Sequence, residues 1–358
     1  MEVTMTETVS HDSVSGESTD APRGAEPPKP RLRGVPLLIV AIGVVLFVQA
    51  LFVFSYIGAL HHPKPHKVAF GVVGTSPLPV AVGTQFSLNT TSYSSEAAAL
   101  GAIDERKIDG ALVAGPAGAK LVVVPAAGNP GASALGAAFT AAAAALDQKL
   151  VIVQAHPLPP GDASGAVSFF VVMALIVGGY LSSTIAMAFG GRASRRRRLG
   201  SLAIAAVIGA LLTDTLAGPV LDAVPTSKFL VLWALFTLIM MAVAFATAAL
   251  QTLLGAGGTL VVVIVFVIFG APSSGGTVPA SYLPTLWRTI GPYLPAGAGT
   301  TAVRNTIYFD SNRIGPSLLI LAAYLVIGAL AVFLLHQRSA PTGTEAEASS
   351  AAATAVVS

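Results

Sequence analysis

Val35 to Leu60 reads VPLLIVAIGVVLFVQALFVFSYIGAL, without one charged residue. A run of about 20 apolar residues is enough to cross the hydrocarbon core of a bilayer. It also far exceeds the roughly 7 to 15 residues of a signal-peptide core, so it reads as an uncleaved first transmembrane helix. Arg31 and Arg33 stand directly before it. Working outward, comparable stretches recur at 166–189, 199–221, 229–254 and 316–335. Thr259 to Phe269 is shorter, and must borrow Leu254 to Gly258 or turn back within the membrane, giving a fifth apolar segment over 256–270.

Composition agrees with this reading. Of the 358 residues, 54% are hydrophobic and 10% charged, whereas soluble domains carry charge on roughly a quarter of their residues. The net charge of +3 describes no basic surface of the kind nucleic acid requires. There is no cysteine, which removes disulfides, thiolate metal sites and cysteine nucleophiles together.

Between the first two apolar runs, 61–165 changes character. Strand-like segments at Lys67 to Gly74, Gln85 to Thr91, Ile108 to Ala114, Lys120 to Pro125 and Lys149 to Ala155 alternate with two helical ones. The first helix, Ser95 to Lys107, has Ser95 as its N-cap and Glu96 in its first turn; the second, Gly131 to Gln148, is rich in alanine. A Pro-rich linker, His156 to Gly165, leads back to the membrane. This is a small α/β domain, large enough to be expected to fold when Lys67 to Ala155 is expressed alone. The tails 1–34 and 337–358 are polar or small-residue segments that cannot build a core, and are expected to be disordered.

Basic residues set the expected orientation. Arg31 and Arg33 before the first span, and Arg192 and Arg195 to Arg198 between the second and third, mark cytoplasmic flanks. The fold class expected is therefore a polytopic α-helical membrane protein of six transmembrane helices. Its α/β domain is extracytoplasmic, its Pro/Gly-rich segment 271–315 faces outward, and both termini are cytoplasmic in a plasma membrane.

Catalytic motifs are missing from the sequence. Gly115 to Lys120 lacks the spacing of a phosphate loop, and Leu121 stands where Ser or Thr would follow the lysine. Neither H-E-x-x-H nor G-x-S-x-G occurs, so the chain is expected not to be an enzyme and to need no cofactor. His61, His62 and His66 could ligate a metal, but Pro63 and Pro65 make that stretch read as an extended linker.

Three features remain as functional candidates. Asp214, about fifteen residues into the third span, is either a point on a substrate or proton path or a structural partner of Arg288 or Arg304. Arg195, Arg196, Arg197 and Arg198 fix topology and could also contact anionic lipid or a cytoplasmic partner. Gly178, Ser182, Ala186 and Gly190 recur every four residues and form one small-residue helix-packing stripe.

The order of one span, an outer α/β domain and five further spans resembles the type-2 ABC transporter permeases, and within them the YhgE/Pip (phage infection protein) group. The resemblance rests on Ser94 to Ala99, Ala102 to Asp104 and Ile108 to Val113 in the domain. Further along it rests on Pro284 to Trp287, Leu294 to Gly297 and Ile307 to Phe309. It implies a homodimer or heterodimer of such subunits in membrane lipid, with a separate ATPase subunit driving export of an amphipathic or apolar compound. The loop Gly190 to Arg198, where an ATPase would dock, is short and strongly basic. That departure keeps a second reading open, a non-transporting envelope scaffold or receptor.

The absence of native cysteine makes the orientation directly testable. An impermeant maleimide applied to intact cells is expected to label Ser92→Cys and not Ser194→Cys; labelling of Ser194→Cys from outside would reverse the topology.

Overall fold

The computed structural model describes residues 34–83, 86–116, 118–189, 194–255 and 257–335. Both expected tails, and Gly190 and Arg192 with them, lie outside these residues. The chain divides into a unit ending at Leu46 and a unit from Phe47 onward. Within the first, the described residues form the opening turns of helix α1, Gly34–Leu60. All else belongs to the second.

The segment after α1 forms a five-stranded mixed sheet. Its strands are β1 (Val68–Val73), β2 (Leu88–Tyr93), β3 (Gly110–Gly115), β4 (Gly118–Val123) and β5 (Leu150–Gln154), in spatial order β2-β1-β3-β4-β5. β1 runs parallel to both β2 and β3, while β4 turns back against β3 and pairs in parallel with β5. Gly115 to Lys120, the failed phosphate loop, belongs to the β3–β4 hairpin.

Helices cover both faces. α2 (Leu78–Gly83), a short helix not signalled by the sequence pattern, and α4 (Asn129–Ala145) cover one, and α3 (Glu96–Asp104) the other. α4 presents Leu135, Phe139 and Ala143 at four-residue spacing to Phe70, Leu112 and Leu121. On α3 the expected cap is present: the Ser95 hydroxyl accepts from the Ala98 N–H at 3.2 Å, satisfying one of the four unpaired donors of the first turn. Glu96 beside it pairs with Lys120 of β4.

The membrane helices follow: α5 (Val167–Phe189), α6 (Arg195–Thr215, carried on by a π-turn over Leu216–Val220) and α7 (Phe229–Leu254). Next come α8 (Gly257–Val262), a π-helical stretch Val263–Phe269, and α9 (Gly270–Ser273). α10 (Thr285–Ile290), α11 (Pro295–Tyr308) and α12 (Gly315–Leu335) complete the chain. Among the described residues, five helices are long and apolar enough to span a bilayer: Leu38–Leu60, Val167–Phe189, Arg196–Val220, Thr226–Leu254 and Gly315–Leu335. The shorter apolar segment is one 17-residue helix, Gly257–Ser273. It takes in Gly257 and Gly258 but not Leu254, which ends α7, and it runs on past Phe269 to Ser273. These features define a polytopic, mostly helical membrane protein with a small mixed-sheet domain between its first two candidate spans.

α7 is the central helix, with 56% of its span buried in the protein against 33% for α5 and less for the others. Two neighbours reach its backbone through glycine. A Cβ on Gly179 of α5 would stand 2.9 Å from the Met240 carbonyl oxygen, and one on Gly328 of α12 would stand 2.6 Å from the Phe245 carbonyl carbon. Without a solvent-driven hydrophobic effect, such close approach and the dispersion it allows hold membrane helices together.

The Pro/Gly-rich segment proves to be a clamp between sheet domain and helices. The His61–His66 linker is stitched to it, because the Lys64 and His66 N–H groups donate to the Tyr282 and Ser281 carbonyls. Tyr282 enters the α4-side core and donates its hydroxyl to the Gly131 carbonyl at 3.1 Å. Phe309, 1% exposed, completes the α3-side core among Ala99, Ile103 and Ile108. Near the start of α5, the buried Asp162 accepts from the Ala166 and Val167 N–H groups with one oxygen and from the Tyr308 hydroxyl, 2.6 Å away, with the other. Trp287 of α10 packs against Gly58 and donates its indole N–H to Ser55 of α1 at 3.2 Å.

Two residues from the clamp therefore finish the cores of the sheet domain, so Lys67 to Ala155 alone lacks part of its interior. Phe309→Ala is expected to destabilise the full chain by about 3–5 kcal/mol, as emptying a buried aromatic site does. Tyr293→Ala, at an exposed position, is expected to leave thermal unfolding unchanged; equal midpoints for the two variants would refute the clamp.

Candidate functional site

The helices end in two polar regions, one beside the sheet domain and one at the opposite, arginine-bearing end. At the arginine end α6 begins with Arg195 to Arg198 after Ser194. Arg196 and Arg197 are exposed. Arg198 turns inward instead, with Nη2 3.4 Å from Gln251 Oε1 and Nη1 3.5 Å from Thr252 Oγ1.

Gln251, 2% exposed near the end of α7, is the centre of this region. Its oxygen accepts from the Ser183 hydroxyl of α5 at 2.9 Å. Its amide nitrogen donates to Thr184 of α5 at 3.1 Å and to Thr259 of α8 at 2.9 Å. One side chain thus joins four helices, and the approach of α8 is tight because a Cβ on Gly258 would stand 2.4 Å from the Leu250 carbonyl. In an apolar surround, a polar group left without these partners costs about 1–3 kcal/mol, so the four helix ends are coupled. Sequence reading passed over Gln251; the available signal was a lone amide in an otherwise apolar run.

Asp214 lies near the other end of α6 and is fully buried. The expected pairing with Arg288 or Arg304 does not form. Arg304 of α11 spends its fork on backbone, donating Nη1 to the Gly275 carbonyl at 2.8 Å and Nη2 to the Gly276 carbonyl at 2.9 Å. Among the described residues no ion pair includes Asp214 or Arg288. The flanking Thr213 and Thr215 hydroxyls donate to the Gly209 and Leu211 carbonyls of their own helix. Neither carboxylate oxygen has a hydrogen-bond partner among the described residues. Trp233 ties α7 to α6 by donating its indole N–H to the Val207 carbonyl at 3.1 Å.

The small-residue stripe lies close to the expected register. Gly178 faces the Met240 side chain and Ala186 packs beside Leu202 and Ala244, both partly buried, while the Ser182 hydroxyl donates to the Gly178 carbonyl. The closest helix contact falls one residue on, at Gly179, with buried Ser183 a turn below. Packing here is within the subunit.

α11 is the least membrane-like of the buried helices: all its residues but Thr301 and Tyr308 are buried. Lys228, at the start of α7, caps its end by donating to the Thr306 and Ile307 carbonyls and to Asp310. Burial, helped by the bond to Asp162, raises the Tyr308 hydroxyl above its ordinary pKa, so it acts as a donor at neutral pH. Compared with protein families, curated proteins and solved structures, the chain finds no match.

An unpartnered buried carboxylate gains nothing from its charge. Asp214→Asn is expected to leave insertion and expression unchanged and the thermal midpoint equal or higher, since ionised Asp costs roughly 2.5–3.5 kcal/mol at a span centre. A clear drop in expression would reveal a partner for the charge.

Proposed function

We propose that the chain is the permease subunit of an ABC-type exporter, moving an amphipathic or apolar compound out of the cell with an ATPase supplied by a separate subunit. This reading takes Gly257–Ser273 as a sixth crossing, puts the sheet domain outside the plasma membrane and both termini in the cytoplasm, and pairs two such subunits. The observation that supports it is the Gln251 network. Force from nucleotide binding must enter a permease at its cytoplasmic surface. Here the exposed Arg196 and Arg197 sit on the same helical turn as Arg198, whose contacts with Gln251 and Thr252 lead to α5, α7 and α8.

The second reading, an envelope scaffold or receptor, has its own support in the sheet domain. An open cleft of about 730 Å³ lies beside the edge strand β2, lined by Lys64, His66, Val80, Phe86 and Thr90. Such a cleft with an unpaired strand edge suits an extended segment of a partner protein.

The two readings separate experimentally. Changing both Arg196→Gln and Arg197→Gln leaves Arg195 and Arg198 to hold topology, so insertion is expected to survive while ATPase co-purification and compound efflux fall together. If no ATPase is recovered with the unmodified protein, and deletion alters phage adsorption or envelope secretion but no compound's efflux, the permease reading fails.

A further inference from the structure

A second cleft, of about 450 Å³, opens where the sheet domain meets the first turns of α12. Its upper wall carries Arg106, Arg313 and Asn305, and its lower wall Tyr293, Leu319 and Ile320. The two walls differ in chemistry. Leu319 is 71% exposed on a helix with the length and hydropathy of a membrane span, so the lower wall faces acyl chains. Tyr293, also exposed, is of the residue type enriched at the level of lipid headgroups.

The upper wall is positively charged and incompletely satisfied. Arg106 lies 4.5 Å over the Phe309 ring and reaches Asp109 at 3.3 Å, yet its Nε is buried without an acceptor. Asn305, 3% exposed, donates through Nδ2 to the Asn312 carbonyl at 2.9 Å, while its Oδ1 is buried without a donor. Arg313 donates to the Arg106 carbonyl at 2.8 Å, which brings the second guanidinium beside the first. Burial lowers the Arg106 guanidinium below its ordinary pKa and repulsion from Arg313 adds to this, with Asp109 opposing.

Neighbouring carboxylates are engaged elsewhere: Glu105 with Lys107, Asp104 with His156, and Asp310 with Lys228. Among the described residues, Arg106 has one carboxylate partner, Asp109, and no ion pair includes Arg313. The N-terminus of the 21-residue α12, at Gly315, adds the positive end of its dipole to the same mouth.

We propose that this cleft holds an anionic membrane amphiphile, its phosphate between Arg106 and Arg313 and its chain along Tyr293, Leu319 and Ile320. Arg106 Nε then donates to a phosphate oxygen, and Asn305 Oδ1 accepts from a headgroup hydroxyl. A planar fork of donors matches phosphate geometry better than a point charge does. The site requires that α12 lie in the bilayer and does not depend on an ATPase partner. If the permease reading also holds, it assigns the amphipathic cargo a negative headgroup.

The test uses the full-length protein, stripped of lipid in a nonionic detergent, with its thermal midpoint followed at constant ionic strength. Dihexanoyl phosphatidylglycerol is expected to raise the midpoint, and dihexanoyl phosphatidylcholine and inorganic phosphate are expected not to. Arg313→Gln should weaken the phosphatidylglycerol response by roughly tenfold or more, the effect of removing hydrogen bonds to a charged group. Lys149→Gln, the same charge change at an exposed position just before β5, should leave it unaltered. Should Arg313→Gln fail to fold, Arg313→Lys keeps the charge, loses the fork and is expected to weaken binding by a smaller factor. A full shift with inorganic phosphate alone would assign the site to a free anion and overturn the lipid. Equal losses for Arg313→Gln and Lys149→Gln, unchanged affinity in a folded Arg313 variant, or no response to phosphatidylglycerol would each overturn the site.

Discussion

A guanidinium buried at Arg304 cannot be left without acceptors, and the requirement is met by the carbonyls of Gly275 and Gly276. A backbone turn just after α9 is thereby fixed against α11. That turn determines where Tyr282 and Trp287 stand, and these two side chains dock the sheet domain and α1. Glycine is required where the segment folds back most tightly: a Cβ on Gly291 would stand 2.0 Å from the Ser273 carbonyl oxygen, and one on Gly297 2.1 Å from that of Gly291. One buried cation and two close backbone contacts hold together a region of short helices and turns.

The long helices and the sheet domain were legible because their signals are local. Uninterrupted apolar runs mark the spans, and the capping pattern at Ser95 and Glu96 marks where α3 begins, though the helix ends at Asp104, three residues before Lys107. What was not legible depended on partners distant in sequence. Arg304 looked available to Asp214 because nothing in a sequence shows that two carbonyls, 28 and 29 residues earlier, already occupy its donors. The packing stripe on α5 was placed one residue away from its closest contact because a four-residue repeat of small side chains fixes a helical face only to within a fraction of a turn. Gln251 was passed over because its meaning comes from Ser183, Thr184 and Thr259, which only the assembled helices bring to it.

The two polar regions also differ in kind. At the arginine end, every hydrogen-bonding atom of the Gln251 amide nitrogen and oxygen shown here is shared with another helix, so displacement of one helix end disturbs all four. Beside the sheet domain, Asp162 and Lys228 instead cap helix ends, each tying one helix to the end of α11. Buried polar contacts of the first kind transmit displacement, and those of the second hold a platform still.

Completion of the sheet domain by Tyr282 and Phe309 also has a consequence for biogenesis. The last strand of the sheet ends at Gln154, yet the two aromatic residues that close its cores are made more than a hundred residues later, after three further membrane helices have left the ribosome. Contacts so distant in sequence form slowly and leave apolar surface uncovered in the meantime. The sheet domain therefore cannot close its two cores until the C-terminal part of the chain has been made.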